Sequence, residues 1–245
     1  MLFALWRLDT ADGAPPDATT TRERNGMGND KRWLVPLTGV AFVVLLIIGF
    51  AIGGEPPDAT KDTPQEIVDF YVDNKDTLII GLILEGIAGT LFVFFGGYLR
   101  RVLRDSEGEG GMLSAIAFAG TVIFAMGLAI DSTITFTLVE NADEIEPSGV
   151  QALTALYNYD FVPFAMGIQI FLLATGILVV SRGALPKWIG WIAILIAVIA
   201  MTPLGFGAFI ATGLLVAVIS VMLALRERGA GASQPGVPPT GGTAV

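Results

Sequence analysis

Apolar residues arrive along the chain in long blocks with little or no charge, separated by short polar stretches. A helix rises about 1.5 Å per residue and the hydrocarbon layer is about 30 Å thick, so roughly 20 apolar residues make one crossing. The first such block, 33–52 (WLVPLTGVAFVVLLIIGFAI), carries no charge. A second covers 78–98, interrupted by Glu85, and a third covers 112–133, with Asp131 near its far end. The fourth, 159–180, has Asp160 and Pro163 in its first turn, where proline is tolerated. The uncharged stretch 188–225 would be about 57 Å long as one helix, close to twice the hydrocarbon thickness. Thr202-Pro203-Leu204-Gly205-Phe206-Gly207 breaks it near the middle, so it reads as two spans, 186–202 and 206–225. The pattern predicts an all-α integral membrane bundle of six transmembrane helices.

Polar stretches set the expected orientation. Arg7, Arg22, Arg24, Lys31 and Arg32 precede the first span, and Arg100, Arg101 and Arg104 follow the second. Arg182 and Lys187 lie between the fourth and fifth, and Arg226 and Arg228 follow the sixth. Six crossings put all of these on one side and leave only Lys61 and Lys75 on the other, which by the positive-inside rule places both termini in the cytoplasm. Trp33, Tyr98, Trp188 and Trp191 then fall at the inner boundary and Tyr71, Tyr157 and Tyr159 near the outer one, where amphipathic rings favour headgroup depth. A multi-pass protein of the cell membrane, in contact with the lipid bilayer, is expected.

The two longer outer loops are acidic. In the first, Thr63-Pro64-Gln65-Glu66 is a capping box with proline at the first helical position. Ile67, Phe70, Tyr71 and Asn74 follow at helical spacing, so a short amphipathic helix should lie on the outer surface. In the second, Glu140, Asp143, Glu144 and Glu146 precede Pro147, and another short helix is expected over about 150–158. The acids lack the spacing of an EF-hand loop and read as solvated faces. On the inner side 105–111 reads as a flexible loop, and the proline-rich 229–245 as a disordered cytoplasmic tail. Residues 1–32 read as a disordered cytoplasmic segment in which Met27 is an alternative start.

Composition narrows the chemistry. Of 245 residues 53% are hydrophobic and 15% charged, against about 25% charged in an ordinary soluble domain. The absence of Cys and His removes disulfides, thiolate or imidazole metal sites and His-dependent triads. A net charge of −9 argues against a nucleic-acid partner. No phosphate-binding loop occurs, and no cofactor is expected. Tyr159-Asp160 matches one dipeptide of the intramembrane aspartyl proteases, but Gly127-Leu128-Ala129-Ile130-Asp131 does not supply their second motif and the order is reversed. An enzyme is not expected.

What remains is acid at membrane depth, which costs on the order of 2.5–3.5 kcal/mol at a helix centre. Glu85 lies about 12 Å below the outer boundary, counted from Thr77, and no Lys or Arg occurs within any span. It must carry its proton or be solvated by a polar cavity, with Gln169 and the run Ser132-Thr133-Thr135-Thr137 as candidate partners. In one reading Glu85, Asp131, Asp160 and Gln169 line a cavity open to the outside that takes a proton, a cation or a small polar ligand, as in a transporter or sensor. In the other, Glu85 is a neutral hydrogen-bonded acid joining helices, Asp131 and Asp160 are interfacial, and the bundle serves as a structural or accessory subunit. A protein partner or a homo-oligomer is left open. Gly81, Gly86 and Gly89, Ala115 and Ala119, Ala125 and Ala129, and Gly213 and Ala217 offer small surfaces for close helix approach.

The Thr-Pro-Gln-Glu start at 63–66, the Leu99-Arg100-Arg101-Val102-Leu103-Arg104 run and the Leu185-Pro186-Lys187-Trp188-Ile189-Gly190-Trp191 run occur in an order that resembles an uncharacterised family of bacterial multi-span membrane proteins, a domain of unknown function. The likeness covers about residues 33–228. It implies a bacterial inner membrane and no established activity.

Overall fold

Backbone surrounded by apolar groups must satisfy its own N–H and C=O groups, and a helix does so within one segment. In the computed structural model, which describes residues 32–200, 202 and 205–232, every regular element is helical. A 3-10 turn at Arg32–Leu34 leads into α1 (Thr38–Gly53), α2 (Pro64–Asp73), α3 (Lys75–Glu107) and α4 (Met112–Asn141). There follow α5 (Pro147–Asn158), α6 (Phe161–Arg182), α7 (Lys187–Ile199) and α8 (Gly205–Ala232). The segment holding Met27 and the stretch 233–245 lie outside the described residues. Helix α8 runs through Gly229 to Ala232, into the start of the expected tail.

Among the described residues, four segments are long and apolar enough to cross a membrane: α3, α4, the Pro147–Arg182 run that joins α5 to α6, and Gly207–Gly229 of α8. Helices α1 and α7 are apolar but shorter, with 16 and 13 residues. Proline explains the late start of α1. Pro36 has no N–H and turns Val35 away from helical backbone, so residues 34–38 form turns, with Leu37 N–H on Leu34 C=O at 3.1 Å and Thr38 N–H on Val35 C=O at 3.2 Å. The Pro36 carbonyl accepts the Gly39 N–H at 3.2 Å and also Ser220 Oγ of α8 at 2.5 Å, and Ser220 Oγ accepts from the Val40 N–H at 3.2 Å. Conversely, α3 runs past Tyr98 to Glu107 and α4 past Thr133 to Asn141. Charge ends a hydrocarbon crossing, but Arg, Leu and Glu remain good helix formers. The expected flexible loop shrinks to a turn in which Gly108, Gly110 and Gly111 take positive φ. Glu107 reaches across it to accept the N–H groups of Leu113 at 2.6 Å and Ser114 at 3.0 Å, covering donors that the first turn of α4 leaves open.

Neighbour contacts run α1–α3–α4–α6–α7–α8 and back to α1, a closed ring, with α3 also touching α6 across it. Glycines set several seams. Gly39 and Gly49 of α1 face Phe95 and Gly81 of α3, Gly120 of α4 faces Gly167 and Phe171 of α6, and Gly176 of α6 faces Gly190 of α7. Gly89 meets Leu128 and Ala125, as its small size predicts, whereas Gly86 faces open space. The ring interior is an aromatic core in which Phe92 lies 4.4 Å from Phe42, 5.2 Å from Phe124 and 5.4 Å from Phe171, centroid to centroid. A second apolar cluster, including Ile67, Tyr71, Leu138 and Val150, joins α2 and α5 to the ends of α3 and α4 as a cap. The outside of the ring is apolar, with Ile47, Ile83, Phe94, Met126, Leu195 and Leu214 all exposed, while Glu85, Asp131, Thr121, Thr175 and Ser220 are buried. Water would penalise exposed apolar surface on this scale and lipid does not. The molecule has the build of a membrane protein.

Candidate functional site

The roof is assembled locally. Thr63 Oγ accepts the Glu66 N–H at 3.4 Å, and the Glu66 carboxylate accepts the Thr63 N–H at 2.8 Å, so the capping box forms and α2 starts where the sequence places it. The Thr63 hydroxyl also donates to that carboxylate at 2.8 Å, and the two bonds from the Thr63 backbone and hydroxyl hold the Glu66 carboxyl below its ordinary value. Lys61, bonded to Asp58 at 2.6 Å, is the main reason that the Asp58 carboxyl lies well below the usual carboxylate range. Helix α5 clamps this loop: the Ala59 N–H donates to Asn158 Oδ1 at 3.1 Å, Asn158 Nδ2 donates to Pro57 C=O at 3.2 Å, and Gln151 Nε2 donates to Ala59 C=O at 2.9 Å. Tyr71 is buried between α2 and α5, where Thr154 Oγ donates to its hydroxyl at 3.5 Å. Burial pushes its phenol above the ordinary value.

Beneath the roof lies a cavity of about 260 Å³, room for about eight waters at the liquid volume of about 30 Å³ each. Its acids arrive by helical spacing. The buried stripe of α3 reads Leu78, Gly81, Glu85, Ala88, Phe92 and that of α4 reads Phe124, Leu128, Asp131, Thr135, Leu138. Glu85 and Asp131 therefore occupy core-facing positions, and both line the cavity with Thr135 and with Tyr157 from the end of α5. Helix α1 closes the other side through Gly49, Phe50 and Gly53. A Cβ on Gly49 would stand 3.0 Å from Glu85 Cγ and 3.2 Å from the Gly81 carbonyl oxygen, so only glycine lets α1 approach Glu85 this closely. Exposed Phe50, Gly54 and Pro56 form the mouth.

Two polar groups in the cavity lack protein partners. No hydrogen bond from the described residues reaches the Glu85 carboxyl, and the buried Thr135 hydroxyl has none either. Thr133 and Thr137 instead donate to carbonyls of their own helix, at 2.7 and 2.8 Å. Asp160 sits at the start of α6, behind Asp131. Its Oδ2 is buried without a hydrogen-bond partner, with the Asp131 carboxyl as its neighbour. Gln169 is not brought in. It lies on α6 about 13 Å deeper than Asp160, counted along the helix, is half-buried, and does not line the cavity. The ion pairs among the described residues are Lys61–Asp58 and Lys75–Glu140, the latter at 3.1 Å, so both lysines near the cap are engaged at the surface. Among the described residues no three acids are placed to hold a metal ion.

Two turns below Glu85 and Asp131, Phe92 and Phe124 close the axis of the ring with Phe42 and Phe171. The cavity is single-ended. It presents carboxyl, hydroxyl and phenol groups with no cation, which suits it to hold a proton, water or a positively charged solute. Sequence reading placed Tyr157 only at a boundary and did not single out Gly49 and Gly53. Their i, i+4 spacing is the same small-residue signal seen in the other spans.

No curated protein and no solved structure matches the chain. A family model does match, over residues 37–231, from the turn before α1 to the end of α8, taking in the whole ring and its cap; the chain belongs to DUF4386, a domain of unknown function.

Proposed function

We propose that the chain crosses the membrane six times with both termini in the cytoplasm, and that its carboxyl-lined cavity is an outward-facing binding pocket for a proton, a cation or a small polar ligand, without catalytic activity. Six crossings are supported by the ring itself: α1 is flanked by α3 and α8, and α7 by α6 and α8, so the two shorter helices share the depth of the candidate spans beside them. The apolar turn 33–37 adds to the reach of α1. Arg100, Arg101, Arg104, Arg182, Arg226 and Arg228 cluster at the end opposite the cap, which by the positive-inside rule is cytoplasmic.

The observation that carries the binding reading is the meeting of Glu85, Asp131 and Thr135 in one cavity of about 260 Å³ with no cationic neighbour. Ionisable residues within membrane spans mark substrate, ion or proton paths as a default hypothesis. The test compares wild type with Glu85→Gln, by flux in proteoliposomes and by ligand-shifted melting. A solute-dependent signal lost in the variant supports the pocket; no flux, no ligand response and unchanged stability removes it. The aromatic plug favours a second reading, a non-transporting accessory subunit, because it leaves no open path through the ring. A stoichiometric partner recovered with the protein, without any ligand response, would establish that reading instead.

A further inference from the structure

We infer that this cavity takes a small organic monocation: a primary ammonium group with a short apolar tail. The inference rests on the reading of the cavity as a binding pocket and names its ligand class. Glu85, Asp131 and Thr135 are each only 6% exposed, and all three face the cavity. The Thr135 hydroxyl has no partner. An ammonium has three donors and no acceptor, which complements two carboxyls and a hydroxyl.

The remaining wall decides between cations. Beyond the Tyr157 phenol, its side chains are Phe50, Leu78, Leu82 and Pro56, and none of these four offers an oxygen. Ca²⁺ or Mg²⁺ calls for about six or more oxygen ligands, and the described acids form no metal cluster. An organic cation brings its own apolar half to set against that wall. Because the polar groups lie together, they suit one charged end rather than two. The volume limits the solute to the size of about eight waters. A neutral solute would leave the acids unpaired, and an anion would be repelled by them. Two sources share this chemistry, a free amine and the ethanolamine headgroup of a lipid entering through the mouth at Phe50.

The test uses the full chain in micelles free of aminophospholipid, with n-butylammonium as probe and n-butanol, sodium and potassium chloride as controls. n-Butylammonium should raise the melting temperature while n-butanol and the salts do not. Glu85→Gln should weaken the apparent Kd by about tenfold or more, as expected for a charge-assisted bond, and Thr135→Val by about fivefold, as for a neutral one. Thr135→Val keeps the side-chain shape and serves where Glu85→Gln does not fold. Repetition in phosphatidylethanolamine and in phosphatidylglycerol nanodiscs separates the sources: competition only by the former assigns the headgroup, and equal protection in both assigns a free amine. Equal protection by n-butanol overturns the inference. If sodium or potassium shifts wild type but not Glu85→Gln while n-butylammonium does nothing, the amine is wrong and the pocket stands. If nothing shifts, both fail.

Discussion

Replacing glycine by alanine at two positions of the ring should change stability in opposite directions. At Gly167 an added Cβ would lie 2.8 Å from Phe124 Cα and 2.9 Å from Phe124 Cβ, against a comfortable separation of about 3.5–4.0 Å. Backbone cannot swing aside, so α4 and α6 must part by about 0.7–1.2 Å to reach that separation. Overpacking of this kind costs about 1–3 kcal/mol, offset by up to about 1 kcal/mol from the better helix propensity of alanine. Gly167→Ala should therefore destabilise by up to about 2 kcal/mol, the difference of those two terms. Gly86 of α3 has nothing within 4 Å, and there only the propensity gain of up to about 1 kcal/mol applies. Unfolding in mixed anionic and non-ionic micelles, followed by helicity and tryptophan fluorescence, gives both values in one host. A Gly167→Ala protein stabilised as much as Gly86→Ala would refute the α4–α6 seam. The same seam holds Asp131 against Asp160, so opening it should also loosen the cavity.

Other consequences are independent of that seam. Thr63→Ala removes the cap of α2 and should cost about 1 kcal/mol, seen as faster amide exchange over residues 64–73. Because the Glu66 carboxyl is held below its ordinary value, its contribution is present above the unfolded-state value and lost as pH falls through the folded one; protection of α2 should decline on acidification, and less so in Glu66→Gln. Tyr71 has the opposite sign for an acid. Burial raises its phenol, so stability is intact below the unfolded value of about 10 and falls as pH rises beyond it, and Tyr71→Phe should flatten the alkaline limb of a pH–stability curve. The chain has no cysteine, so single-cysteine topology mapping starts without background. An impermeant maleimide should label Thr60→Cys on intact cells and Glu109→Cys only after permeabilisation; the reverse pattern would overturn the proposed orientation.

Much of the local structure was legible because its causes are local. A capping box needs only residues 63–66, and α2 begins there. The breaker in the 188–225 block divides it into α7 and α8 because proline and glycine act on their own backbone. Uncharged blocks become helices wherever they occur, although charge was a poor guide to their ends: α3 carries Arg100 and Arg101 within its helix. That Glu85 and Asp131 lie in otherwise apolar blocks was equally plain. Which polar groups they meet was not. Thr135 enters the cavity and Gln169 does not, Asp160 stands behind Asp131, and Tyr157 comes down from the cap. Gly81 and Gly86 look alike in the chain, yet one touches Gly49 and the other faces open space. Hydropathy and periodicity report the face and depth of each helix by itself. Neighbours, and the relative depth at which two helices lock, are set by contacts between residues far apart in the chain, such as Gly49 on Gly81 and Gly120 on Phe171, and only the packed ring decides those.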